Sequence, residues 1–186
     1  MFISQAKYLK DMLKRYGMED CAHMSTLMTT DCKLSKDDES HSVDASLYRS
    51  IIGVLLYLTA TRPNSMQAVG MVGRFQSAPK QSHLLDVKII LRYLKGTLDF
   101  GLWYPKSSTL TIIAYTDADW AGSVDDRKST SGNAFFLGDC LVSWLSKKQT
   151  SISLSTAEAK YIADAYCGTQ ILWMKEALKD VNIGTN

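Results

Sequence analysis

The segment that most constrains the fold is an apolar run that ends in two acidic residues. Leu110–Tyr115 is rich in β-branched and aromatic side chains, and Asp117 and Asp119 follow it before a turn at Gly122. Such a run predicts a buried strand. Because side chains two residues apart on a strand share a face, both carboxylates can offer oxygen ligands to one divalent cation. The alternative is that the two acids begin a turn and face water.

Hydrophobic periodicity places helices on both sides of this strand. Apolar spacing, with flanking glycine and proline, predicts helices at 4–16, 45–60, 63–76, 81–95 and 155–178. Further short strands are predicted at 100–104, 133–137 and 141–145, and the last two form an antiparallel meander with the strand at 110–116. Residues 20–43 are polar and lack a clear period, which predicts a loop. The sequence therefore predicts an α+β fold.

The composition bounds the class of protein. The 186 residues are 46% hydrophobic and 22% charged, with a formal net charge of +2, which permits nucleic-acid contact without arguing for it. Cys21, Cys32, Cys140 and Cys167 form no C-x-x-C pair, which fits a reducing compartment. The first residues are too polar for a signal peptide, and no run is apolar enough to span a bilayer. We therefore expect an intracellular protein of the cytoplasm or nucleus, with no membrane partner.

Six longer motifs surround the acid pair. In chain order they are Tyr48–Gly53, Ala60–Pro63, Ile90–Thr97, Asp125–Gly132, Trp144–Gln149 and Leu154–Ala159. Together they resemble the ribonuclease H domain, and the connecting region before it, of copia-type LTR retrotransposon Pol polyproteins. The resemblance covers nearly the whole chain. It implies a helical segment of reverse transcriptase thumb or connection type at 1–98, and a truncated ribonuclease H-like antiparallel sheet with one long helix at 99–186.

The resemblance also implies a catalytic site. In that family, carboxylates hold two Mg²⁺ or Mn²⁺ ions that cleave the RNA strand of an RNA–DNA hybrid. Asp117 matches the first carboxylate, with Asp119 beside it as a further metal ligand. Two positions compete for the second carboxylate, which are Glu158 and the position of Lys160, where the family has a glutamate.

The alternatives for the second carboxylate stay open at the level of sequence. Ser155 and Glu158 form a capping box, which already gives Glu158 a structural role and favours position 160 as the lost ligand. Helical periodicity favours Glu158, because it lies nearer the apolar stripe than Lys160 does. That stripe comprises Ala159, Ile162, Ala163, Tyr166 and Trp173. A lysine at position 160 would repel a dication.

The remaining carboxylates of the family lie beyond the last residue of this sequence, and Asp180 is a poor substitute. We therefore predict a part of a copia-type polyprotein that is not a competent nuclease alone. One alternative is a metal-dependent ribonuclease H completed by further chain or by a partner. Another is a co-opted non-enzymatic role, such as that of secreted RxLR effectors that suppress host cell death, although Arg92–Lys95 is not an RxLR motif. Strands missing from the sheet also predict self-association through an unpaired edge.

Cations and hydroxyl groups flank the acid pair, in one loop and at the end of one strand. Side chains of this kind can hold the phosphate and sugar oxygens of an RNA–DNA hybrid. A plain polar hairpin loop would have the same composition. The candidate nucleic-acid contacts are Arg127, Lys128, Ser129, Ser131, Lys147 and Lys148.

Overall fold

The computed structural model describes residues 1–28, 34–36, 39–106 and 110–182. The chain divides into two compact units. The helical unit comprises Ile3–Leu102, and the sheet unit comprises Trp103–Asn186 together with Met1–Phe2. The division therefore falls after residue 102, where the sequence suggested a boundary after residue 98. Helices occur with antiparallel sheets, so the predicted α+β class is confirmed.

The helical unit is built on four α-helices within its described residues. These are α1 (Ala6–Arg15), α2 (Ala45–Leu58), α3 (Met66–Val72) and α4 (Gln81–Gly96). The helix predicted at 63–76 consists of α3 with a 3₁₀ turn at either end, Pro63–Ser65 and Gly73–Phe75. The short strands β1 (Phe2–Ile3) and β2 (Leu102–Trp103) pair as a two-stranded sheet.

The predicted loop at 20–43 is only partly described, since residues 29–33, which include Cys32, and 37–38 lie outside the described residues. Its remaining residues contain no helix, and Ser42 forms an isolated bridge with Lys80. Cys21, Cys140 and Cys167 are free cysteines. No helix in the described ranges is long and apolar enough to cross a bilayer.

Among its described residues, the helical unit has one apolar core, to which all four helices contribute. Tyr48 is fully buried, and its hydroxyl donates a hydrogen bond of 2.8 Å to the Val72 carbonyl. The Arg62 guanidinium is also buried and donates to Thr97 Oγ1 (3.3 Å) and to the Leu98 carbonyl (3.1 Å), which ties the turn before α3 to the end of α4. The fully buried apolar side chains include Leu9, Ile52, Leu55, Leu58, Val69, Val72 and Ile90.

In the part of the sheet unit that the structure describes, an antiparallel meander of three strands is covered by one helix. The strands are β3 (Ile112–Ala118), β4 (Thr130–Leu137) and β5 (Cys140–Lys148), in the spatial order β3-β4-β5. β4 begins at Thr130, earlier than predicted, because pairing with both neighbours overrides the weak strand propensity of serine and glycine. Helix α5 (Thr156–Asp180) begins at the predicted N-cap, where Ser155 Oγ accepts from the Glu158 amide at 3.1 Å.

Helix α5 covers one face of this sheet through small side chains. Ala159 and Ala163 are fully buried and pack with Ala118 at the end of β3. The predicted stripe is wrong at Tyr166 and Trp173, which are 38% and 67% exposed. The reason is length, because the 25 residues of α5 extend about 37 Å, well past strands of seven to nine residues.

Candidate functional site

Asp117 lies near the end of β3 and points into solvent. Its side chain is 81% exposed, and strand alternation places it with Ile113 and Tyr115 on the face opposite α5. The charged group that reaches it comes from the second turn of α5. Lys160 Nζ lies 3.7 Å from Asp117 Oδ1, and the lysine side chain is 57% exposed. At this exposure the ion pair contributes at most about 1 kcal/mol to stability, so its importance is its position rather than its strength.

Asp119 closes the turn that follows β3. Its amide donates to the Thr130 carbonyl at 3.2 Å, and its Oδ1 accepts a short hydrogen bond from the Thr130 amide. The carboxylate also packs onto Gly122, where a Cβ atom would collide with Oδ2. Any side chain at position 122 would therefore displace Asp119, which explains the glycine. Asp119 therefore agrees with the alternative reading of the sequence, in which the acid begins a turn after the strand.

Glu158 caps the start of α5. Its Oε2 accepts from the Leu154 amide at 2.6 Å, while its own amide donates to Ser155 Oγ at 3.1 Å. The carboxylate reaches the residue before the N-cap, so the arrangement is a shifted capping box. One of its carboxylate oxygens, Oε2, is thus bound to the backbone at the start of its own helix.

Sequence reasoning missed Gln149, the residue that fixes α5 against the sheet. Its Nε2 donates to Ser131 Oγ (2.9 Å) and to the Ala159 carbonyl (2.8 Å), while its Oε1 accepts from Ser153 Oγ (3.1 Å). The amide side chain is buried and links β4, the preceding loop and the first turn of α5. Because Ala159 immediately precedes Lys160, these bonds set the position of the lysine next to the β3 end. The signal that the sequence offered for this role was weak, namely a single amide side chain between Lys147-Lys148 and the helix cap at Ser155.

The loop between β3 and β4 is held by an ion pair. Lys148 Nζ lies 2.8 Å from Asp126 Oδ2 and donates to Ser123 Oγ at 3.1 Å. Although burial alone raises the pKa of Asp126, hydrogen bonds from Lys148, Ser123 and the Lys128 amide outweigh it and lower the pKa to about 2. Arg127 adopts a left-handed conformation with φ of 55° at the tip of the loop, and its side chain is exposed.

The six candidate nucleic-acid residues fall into two groups. Ser129 and Ser131 are buried, and their hydroxyls accept hydrogen bonds from the Ala121 amide (3.2 Å) and from Gln149 respectively. Lys148 is ion-paired as described above. The side chains that face solvent are Arg127 and Lys147, with Lys128 half-buried.

The three candidate metal ligands do not converge. Asp117 faces Lys160, Asp119 holds its turn, and Glu158 holds the helix start. Within the described ranges, no three His, Cys, Asp or Glu side chains come together as a group that could hold a metal ion. Mg²⁺ and Mn²⁺ require several oxygen ligands around one point. The residues present therefore do not fit a divalent ion in this arrangement.

Comparison with known proteins finds relatives that are 38–41% identical to this chain. The chain is 38% identical over 183 residues to the retrovirus-related Pol polyprotein from transposon RE1 of Arabidopsis thaliana, covering 98% of this chain and 12% of that protein. It is 39% identical over 173 residues to an uncharacterized mitochondrial protein of Arabidopsis thaliana, covering 93% of this chain and 72% of that protein. It is 41% identical over 128 residues to secreted RxLR effector protein 161 of Plasmopara viticola, covering 68% of this chain and 90% of the effector. No family model and no solved structure matches the chain.

Proposed function

The chain belongs to the family of retrovirus-related Pol polyproteins of copia-type transposons, and we propose that its sheet unit is a ribonuclease H-like part of such a polyprotein that does not cleave RNA–DNA hybrids by itself. The helical unit is, in this proposal, the connecting region between reverse transcriptase and ribonuclease H. The observation that carries the proposal is the ammonium group of Lys160 beside the carboxylate of Asp117.

Two-ion hydrolysis needs carboxylates that share metal ions on both sides of the scissile phosphate. A lysine at 3.7 Å from Asp117 supplies a positive charge where a second carboxylate would have to stand. Recruiting Asp119 or Glu158 instead would release the amides of Thr130 and Leu154 from their hydrogen bonds. Thr130 is buried, and leaving its amide without a partner costs about 1–3 kcal/mol, which opposes the recruitment of Asp119.

The test is cleavage of a labelled RNA–DNA hybrid by the isolated chain in Mg²⁺ and, separately, in Mn²⁺. We expect no cleavage above that of the buffer. The matched control is Asp117→Asn, which removes the ligand charge with little change in shape. Cleavage by the wild-type chain that disappears in Asp117→Asn would contradict the proposal, because it would show a working metal site at this position.

A second candidate is a ribonuclease H completed by further chain. It is favoured by coverage, since the chain spans only 12% of the RE1 polyprotein and 14% of the tobacco TNT 1-94 polyprotein. In this case Mg²⁺ or Mn²⁺ is the cofactor and the hybrid contacts Arg127, Lys128 and Lys147. The test is the same assay on a longer polyprotein that contains this chain, again with and without Asp117→Asn. Identical products from both proteins would exclude a catalytic role for this site.

A third candidate is a non-enzymatic effector role. It is favoured by the match to the Plasmopara viticola effector, of which the chain covers 90%. The test is expression of the chain in leaf tissue together with an elicitor of cell death. If this candidate is correct, the chain should suppress the cell death, and Asp117→Asn should suppress it equally well. Cell death equal to that with an empty vector would exclude the effector role.

A further inference from the structure

The side chain of His83, in the first turn of α4, is fully buried and hydrogen-bonded through both ring nitrogens. Its Nδ1 accepts from the Lys80 amide at 3.0 Å, and its Nε2 lies 2.9 Å from the Ser35 carbonyl oxygen. Because a carbonyl oxygen only accepts and an amide N–H only donates, Nε2 carries a proton and Nδ1 carries none. The contacts therefore fix the ring as the neutral imidazole with its proton on Nε2.

The His83 ring joins three segments of the helical unit. It stacks on Phe75 with the ring centroids 4.0 Å apart, which fixes its plane against the 3₁₀ turn that precedes α4. Through Ser35 it binds the segment 34–36. Through the Lys80 amide it caps α4, in the place where a glutamate or glutamine side chain usually completes a capping box. One buried ring thus connects a loop segment to the start of a helix.

The next amides of α4 are also satisfied from outside the helix. The Gln81 amide donates to the His41 carbonyl at 2.8 Å, and the Ser82 amide donates to Ser40 Oγ at 3.2 Å. The first amides of any helix lack partners within it, so the segment 39–43 supplies them here. The bonds of this segment and those of His83 therefore hold the same helix start.

We propose that His83 is a proton-sensitive switch, which binds the segments 34–36 and 39–43 to α4 at neutral pH and releases them on acidification. A proton on Nδ1 replaces the acceptor with a donor that faces the Lys80 N–H, and it places a charge at a fully buried position. A released ring in water takes up that proton at about pH 6.5. The released state therefore binds more protons than the bound state, so the contact weakens as the pH falls below that value.

The charges near the ring are mainly positive on the segments that contact it. The charged and titratable residues of these segments are Lys36, Glu39, His41, Arg74 and Lys80, of which Glu39 and His41 are exposed. Neighbouring cations disfavour a further positive charge on the ring. On α4 itself, the next acid is Asp86. Burial and, after it, the charge of Asp86 raise the pKa of Tyr48, so this acid acts on α2.

Hydrogen exchange of the full chain measures the switch. The quantity is the protection factor of the Lys80, Gln81 and Ser82 amides, which removes the intrinsic pH dependence of exchange. If only the released ring takes up a proton, release is about twentyfold more favourable at pH 5 than at pH 7. We expect the protection factors to fall by about that factor while circular dichroism stays unchanged. Constant protection factors over this range would overturn the proposal, which concerns the helical unit and does not rest on the proposed function.

Two matched variants assign the effect to this ring. His83→Asn keeps a neutral acceptor for the Lys80 amide but takes up no proton, so its protection factors should be the same at both pH values. His41→Gln removes an exposed histidine and should keep the fall seen in the wild type. A fall that persists in His83→Asn, or one that is lost in His41→Gln, would overturn the assignment to His83.

Nuclear magnetic resonance of the ring nitrogens tests the switch in the wild-type chain, without a variant that has to fold. At pH 7, His83 should carry a proton on Nε2 and none on Nδ1. It should stay neutral in the folded chain at about pH 5.5, where an ordinary exposed histidine is charged. A proton on Nδ1 at pH 7, or a charged His83 ring in the folded chain at pH 5.5, would overturn the proposal.

Discussion

Replacing Lys160 with glutamate should strengthen divalent-ion binding at Asp117. The change converts a repelling charge 3.7 Å from the carboxylate into an attractive one. Two units of charge acting on a dication about 5 Å away are worth about 3 kcal/mol in water, and about half of that at 0.15 M salt. Both side chains are largely exposed, so the screened value applies, and it corresponds to about a tenfold to twentyfold gain in affinity.

The assay is a titration with Mn²⁺ followed by paramagnetic broadening of the Asp117 amide signal. Lys160→Glu should broaden that signal at lower Mn²⁺ than the wild type does. Lys175→Glu is the matched control, because it reverses the same charge about 22 Å further along α5, beyond the screening length of about 8 Å. Equal titrations for Lys160→Glu and Lys175→Glu would refute the electrostatic argument.

Glu158→Gln decides which residue stands at the second ligand position. The neutral amide can still accept from the Leu154 amide, so the helix start should remain intact. If Glu158 is only a cap, the variant should bind Mn²⁺ as the wild type does. A loss of binding in Glu158→Gln, with no gain in Lys160→Glu, would mean that Glu158 is the ligand and that the role assigned to Lys160 is wrong.

Three further predictions concern stability. Gln149→Ala should lower the free energy of unfolding by about 2–4 kcal/mol in urea, because buried partners lose their hydrogen bonds, while the exposed neighbour Thr150→Ala should change it by less than about 0.5 kcal/mol. The pKa of Asp126 is lowered to about 2, so its contribution to the free energy of unfolding is complete above about pH 4 and is lost as the pH falls towards 2. In unfolding curves measured over a series of pH values, Asp126→Asn should remove this acid-sensitive contribution, which is about 1 kcal/mol after screening. Tyr48→Phe should cost about 1–2 kcal/mol in the same urea assay, because the buried Val72 carbonyl loses its donor.

Local patterns were sufficient to predict most elements of the fold. Helix α1 is strongly amphipathic, and its buried residues Leu9, Met12 and Leu13 follow the helical period directly. Helix α5 begins at a cap that is readable from four consecutive residues. The start of β4 was harder to predict from the sequence, because Ser131 and Gly132 belong to the strand only through their pairing with residues of β3 and β5. Such pairing depends on tertiary structure, which the strand propensities of single residues do not reflect.

The candidate site was less predictable, because its geometry depends on contacts distant in sequence. The sequence left Glu158 and Lys160 as rivals, since both lie within the first two helical turns after the same cap. What separates them is the position of α5 on the sheet, which the buried amide of Gln149 fixes by bonding Ser131 on β4 and the Ala159 carbonyl at once. That position turns the lysine towards Asp117.

The same contacts explain why an acid-rich motif need not make a metal centre. A carboxylate at a strand end or helix start has two uses, which are to bind a cation or to accept backbone N–H groups that lack partners there. Asp119 and Glu158 take the second use, and both bonds lie within the turn or helix start that each residue begins. Asp117 differs from them, because its side chain is 81% exposed and its neighbour is a cation, Lys160. A metal site at this position therefore depends on the charge at residue 160, which a single substitution reverses.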